Sequence, residues 1–135
     1  MADLNQICQN VLKNVSESLG VAVVDLDSGL LLSVAHNVPY FTQSYLDAVA
    51  AAAVDMFRGK TMSNVEKMLS AQRGKEVRNS VKEVQMSTDG TYHFMSLVPG
   101  KASNLVVLIT TRRANLGMGW SALRQALPEI APLCP

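Results

Sequence analysis

A few groups of residues in this sequence have types and spacings that could do chemistry. Gly59-Lys60-Thr61 reads like the end of a phosphate-binding loop, in which glycine backbone cradles phosphates, the lysine reaches them and the hydroxyl holds Mg2+. Such a loop needs another glycine five residues earlier, and Val54 stands there inside a helical pattern. A helix also precedes the triplet where a strand is required, so no nucleotide site is expected. Asp25 and Asp27 are paired carboxylates beside Gly29, a pattern open to acid/base work or to a metal. No third carboxylate follows at calcium-loop spacing, and aspartate is a common turn residue, so a turn role is expected. His36 and His93 are far apart and neither belongs to a nucleophile motif; His93, between Tyr92 and Phe94 in a strand, is expected to face solvent or cap a polar contact. Cys8 and Cys134 lie near opposite ends with no metal-ligand spacing and no disulfide framework, and are expected as free thiols. No serine or cysteine sits in a nucleophile elbow. The reading is a non-enzyme with no catalytic, cofactor-binding or metal-binding residue and no cofactor.

Charge narrows the partners. Twelve Lys plus Arg against eleven Asp plus Glu leave 12 − 11 = +1, too little for a global field that would hold nucleic acid. Local positive charge gathers at Arg73, Lys75, Arg78 and Lys82, with a second pair at Arg112-Arg113. A solvated loop explains that cluster, as does a patch that steers an acidic partner. Aromatics are not interleaved with it, which argues against single-stranded nucleic acid.

These residues must be positioned by a chain of 135 residues, the size of one domain, with 48% hydrophobic and 17% charged residues. We read residues 1–135 as a single domain. The N-terminal residues carry no basic-then-apolar leader, and the longest apolar run, Leu46 to Phe57, is broken by Asp47 and Asp55. It falls short of the roughly 20 residues that cross a bilayer. A cytoplasmic protein without a membrane partner is expected.

Leu4, Ile7, Cys8, Val11, Leu12, Val15 and Leu19 recur at helical spacing, with Asp3 as N-cap and Gly20 as stop. Val21 to Leu26 reads as a buried strand, Asp27-Ser28-Gly29 as a turn and Leu30 to Val34 as the returning strand. After Pro39, Thr42 or Ser44 caps a second helix with a stripe of Leu46, Val49, Ala50, Ala53 and Phe57. Gly59 breaks or kinks it, and Met62, Val65, Met68 and Leu69 resume a helical pattern to Arg73-Gly74. Three strands follow: Val81 to Ser87, Tyr92 to Val98, and Leu105 to Ile109, the last most apolar and placed at the sheet centre. A closing helix begins near Asn115 and carries Leu116, Trp120, Leu123, Leu127 and Ile130 until Pro128 or Pro132 limits it. The order is αββαβββα, an α/β chain of α+β type.

Val21 to Leu30, the Ala-rich helix around Ala48 to Val54, and Leu105 to Ile109 with Asn115-Leu116-Gly117 together resemble the roadblock/dynein light chain family over roughly residues 3–131. That resemblance implies a profilin- or longin-like architecture: a five-stranded antiparallel sheet with the second helix on one face and the terminal helices on the other. It also implies a homodimer or heterodimer through paired second helices and the strand after them, and we expect a homodimer, at Val49, Ala52, Ala53, Met56, Val84 and Met86, with binding to a small Ras-like GTPase or a signalling or motor assembly. Which face of the second helix would meet a partner stays open at this point. A small-ligand sensor of similar shape is the alternative, and it would need a polar-lined pocket.

Overall fold

The computed structural model describes residues 3–135. Helix α1 (Leu4–Asn14) starts where the Asp3 carboxylate accepts the Gln6 N–H at 2.8 Å. It is shorter than its apolar spacing suggests. Val15 turns extended and Glu17 takes a φ of 67°, so Leu19 and Gly20 leave the helix and enter strand β1 (Ser18–Asp25). The apolar spacing ran on because β1 is itself apolar.

The β1–β2 turn is built by Asp25. Its carboxylate accepts Asp27 N–H and the Ser28 hydroxyl, while Gly29, at φ 75°, donates to the Asp25 carbonyl at 2.7 Å. Strand β2 (Leu31–His36) pairs antiparallel with β1. Thr42 caps helix α2 (Gln43–Arg58), accepting Tyr45 N–H at 3.2 Å. Gly59 then turns extended (ψ 162°) and starts a separate helix, α3 (Lys60–Arg73). A Cβ on Gly59 would sit 2.3 Å from the Asp55 carbonyl oxygen, so only glycine fits this break. Gly74 ends α3 at φ 68°.

Strands β3 (Glu83–Ser87), β4 (Thr91–Val98) and β5 (Lys101–Thr111) form two successive hairpins. The sheet order is β2-β1-β5-β4-β3, antiparallel throughout, with the most apolar strand in the middle. Helix α4 (Leu116–Ile130) begins where Asn115 accepts Met118 N–H at 3.1 Å. It runs past Pro128, which the sequence suggested as a stop, and passes into a 3-10 turn at Ala131–Leu133.

Alternation along the strands feeds two cores. Ile7 and Cys8 of α1 and Leu123, Ala126, Leu127 and Ile130 of α4 pack with Val21, Val23, Phe94, Val106 and Leu108 on one face. Leu46, Ala50, Ala53 and Phe57 of α2 pack with Val24, Met95, Leu97, Leu105, Val107 and Ile109 on the other. Each large side chain so buried contributes about 1.5–3 kcal/mol. The terminal helices therefore share one face and α2 has the opposite one, a five-stranded sheet between helical layers.

Candidate functional site

The residues expected at an interface lie on α2 and on the edge strand β3. At 100° per residue, Leu46, Ala50, Ala53 and Phe57 point into the sheet and are buried. Tyr45, Val49, Ala52 and Met56, spaced four, three and four, lie together on one flank and stay exposed or half-buried. The opposite flank is located by Val54, whose side chain lies 3.9 Å from where a Cβ of Gly29 would sit, at the β1–β2 turn. Ala52 and Met56 lie on the side of α2 away from that turn, whereas Val49 lines the space over β1 and β2 with Leu31 and Val34.

Strand β3 is an edge strand. Its exposed Glu83, Gln85 and Ser87 alternate with Val84 and Met86, which are half-buried against the α2 core. The arrangement places a half-covered apolar strip beside a free row of backbone N–H and C=O groups, the two components of strand addition. Of the six residues expected at an interface, Val49, Ala52, Met56, Val84 and Met86 are exposed or half-buried. Ala53 is not: only 1% exposed, it is covered by the chain's own sheet, because it shares the helical phase of Ala50 and Phe57.

The basic residues sit between α3 and β3. Arg73 closes α3, Lys75 and Arg78 lie on the connecting segment, and Lys82 donates to the Asn79 carbonyl at 3.0 Å; all four are exposed. Sequence inspection missed the residue that holds this segment. Glu66 of α3, only 7% exposed, accepts both the backbone N–H and the hydroxyl of Ser80 at 2.6 Å. Those hydrogen bonds to Ser80 hold its carboxyl below the usual glutamate range. Ser70 adds a second tie, accepting Val77 N–H at 2.7 Å. The signal was there, a glutamate within a helical stripe of Met62, Val65 and Leu69, but its partner fourteen residues away was not.

The other chemistry-bearing residues do structural work. Gly59-Lys60-Thr61 joins two helices, so its backbone takes no strand-to-helix phosphate turn. Asp25 is spent on its turn, and His36 Nδ1 accepts Val38 N–H at 3.2 Å. Of the two expectations for His93, solvent exposure fails and a polar contact holds: it is buried, because β4 lies inside the sheet and is covered on both faces. Its Nε2 meets the Thr91 hydroxyl at 3.0 Å, Nδ1 has no partner among the described residues, and burial pushes its pKa down. Cys8 and Cys134 are buried free thiols in the α1/α4 core, and burial raises both pKa values. Among the described residues, no three His, Cys, Asp or Glu side chains are grouped to hold a metal. The space between α2 and the sheet is about 10 Å³ and apolar-lined, whereas a cleft of about 280 Å³ between the ends of α1 and β5 and the start of α4 carries Glu17, Arg113 and Asn115 at its rim.

No family model matches the sequence, and no curated protein matches it. The fold does have solved counterparts. A roadblock/LC7 domain from Streptomyces avermitilis superposes with a TM-score of 0.71 at 18% identity, covering 97% of each chain. MglB from Myxococcus xanthus gives 0.68 at 17% identity over 96% of this chain and 92% of that one. The gliding protein MglB from Thermus thermophilus gives 0.70 at 16% identity over 96% and 86%. A related MglB structure is described as having a tetrameric arrangement.

Proposed function

We propose that this chain, which has the roadblock fold, is a non-enzymatic, cytoplasmic, dimeric adaptor that regulates or recruits a small Ras-like GTPase or a signalling or motor assembly. The observation that supports the reading is that Met56 of α2 and Val84 and Met86 of the edge strand β3 are only half-buried at the margin of one core, with Val49 and Ala52 also incompletely covered. Two copies related by a two-fold axis would place flank against flank and edge against edge, so each favourable contact occurs twice. Small residues such as Ala52 permit close approach of the helices, and β3 supplies main-chain pairing. A specific interface of this kind buries more than about 1,000 Å² in total. Arg73, Lys75, Arg78 and Lys82, exposed beside that edge, are suited to steering an acidic partner, an effect on association rate that salt screens. The GTPase-related partner follows from the roadblock resemblance rather than from any side chain.

Light scattering tests the dimer: a mass of twice 14.6 kDa at micromolar concentration is expected. Ala52→Glu, an exposed position on the flank, should give a folded monomer. A wild-type chain that stays at 14.6 kDa at all concentrations sinks the reading. Reversing the four basic charges should slow association with a loaded GTPase at low salt and leave the melting temperature unchanged. The ligand-sensor reading rests on the Glu17/Arg113 cleft, and a metabolite panel that raises the melting temperature through that cleft would favour it.

A further inference from the structure

Helix α3 buries a carboxylate and leaves part of its apolar content outside. Its one buried residue is Glu66, around which Met62, Ser63, Leu69 and Ser70 are half-buried. The outward face carries Val65 (43% exposed), Met68 (65% exposed) and the exposed Ala71, each three residues from the last. Among the described residues, no residue of 60–73 belongs to either hydrophobic core or packs against one. The helix hangs from the α2 junction and from the Glu66–Ser80 and Ser70–Val77 hydrogen bonds. Fourteen residues alone are marginal as a helix in water. A helix that turns apolar side chains outward and takes no share of the core is shaped for something outside the chain.

Charge says what that is. Residues 60–82 hold Lys60, Lys67, Arg73, Lys75, Arg78 and Lys82 against Glu66 and Glu76, so 6 − 2 = +4. The remaining residues hold the other six cations against nine acids, so 6 − 9 = −3. A near-neutral protein is therefore polarised, with its positive end at α3. Lys60 and Lys67, seven residues apart, share the flank next to Met68.

We propose that α3 and the basic segment after it form a reversible docking face for an anionic lipid surface. The helix lies along the headgroups with Val65 and Met68 toward the acyl boundary, and the lysine stems reach back to the headgroup charge. The acidic remainder of the chain is repelled, which orients the protein with α3 down. The sequence pointed away from a membrane partner because it has no spanning run, and a face that lies on the surface needs none. A second copy is disfavoured on this face, since two +4 segments would meet across a two-fold axis. On α3 itself a tightly docked acidic protein is disfavoured by the absence of an aromatic anchor beside Val65 and Met68 and by lysine, not arginine, at positions 60 and 67. This inference is independent of the dimer, which uses the α2 flank and β3.

The full chain is mixed with vesicles of phosphatidylcholine alone, or with about 30 mol% phosphatidylserine, and pelleted at about 50 and about 300 mM NaCl. Binding to the serine-lipid vesicles at low salt, at least about tenfold above the neutral vesicles, is expected, with most of it lost at high salt. Lys60→Gln and Lys67→Gln should each weaken it about fivefold. Met68→Ser should weaken it at both salt concentrations while the salt dependence persists. All three positions are exposed, so unchanged melting curves are expected and verify folding. Equal partition onto both vesicle types, or lysine variants that bind like the wild type, overturns the proposal. Capture by polyglutamate without capture by vesicles also overturns it, assigning the face to acidic protein. A chain that dimerises but ignores vesicles refutes this inference and leaves the adaptor reading standing.

Discussion

Helix α4 crosses the sheet at Gly119, and the closeness of that crossing gives a sharp test of the packing. A Cβ built on Gly119 falls 2.4 Å from Phe94 Cζ and 2.7 and 2.8 Å from Cε2 and Cε1. Real Cβ contacts essentially never fall below 3.0 Å. The ring cannot simply swing away: Phe94 is 0% exposed and is held edge-to-face by Trp120 at 5.4 Å and by Tyr92 at 6.3 Å. Gly119→Ala must therefore lift α4 or displace the ring. Overpacking of this kind costs about 1–3 kcal/mol, and the better helix propensity of alanine returns up to about 1 kcal/mol. With three ring atoms inside 3.0 Å the upper part of that range applies, about 2–3 kcal/mol, and the net loss of about 1–2 kcal/mol corresponds to a melting temperature lower by about 3–10 °C for a domain of this size. Differential scanning calorimetry reads the effect directly. In a Phe94→Leu background, where the ring is gone, the same Gly119→Ala change should cost at least about 1 kcal/mol less. A Gly119→Ala protein melting at or above the wild type, or strict additivity of the two changes, would refute the close-packed crossing.

Ala53→Asp should abolish folding or reduce the chain to an aggregating state, since an unpaired carboxylate at a 1% exposed site costs several kcal/mol; a wild-type melting curve would show that α2 is seated otherwise. Stability should fall as pH drops below about 6.5, because the unfolded chain protonates His93 there while the folded site, with its lowered pKa, does not; urea titrations of wild type and His93→Phe check this, and identical pH slopes would count against it. A separate acid loss belongs to Glu66. Its depressed folded pKa stabilises above the unfolded value of about 4.3 and that stability disappears as pH falls through the folded pKa, so Glu66→Gln should flatten the curve only in that acid window. Cys8 and Cys134 should resist a thiol reagent at neutral pH in the native state and both react after denaturation, since burial disfavours each thiolate; two fast-reacting native thiols would contradict their placement in the core.

The sequence alone determined the features that depend on local physics. Period-two and period-3.6 patterns located five strands and the α1, α2 and α4 helices, and the run Leu105–Ile109 announced the central strand because only a strand covered on both faces is apolar throughout. The cap at Asp3, and Thr42 as one of two candidates with Ser44, were legible because each works within three residues. It could not determine where one apolar element stops and the next begins, as at Leu19, since both helix and strand accept leucine. Nor could it separate the two phases of α2: Ala52 and Ala53 differ by 100° of rotation and by nothing in composition, yet one is exposed and the other buried. His93 and Glu66 were hidden for the same reason, because burial is a property of what arrives from elsewhere in the chain. The tertiary structure decided that Ala53 is seated on the sheet while Ala52 is not, and that α3 buries the Glu66 carboxylate while leaving Met68 exposed. Those choices depend on long-range packing, which has no counterpart in local spacing.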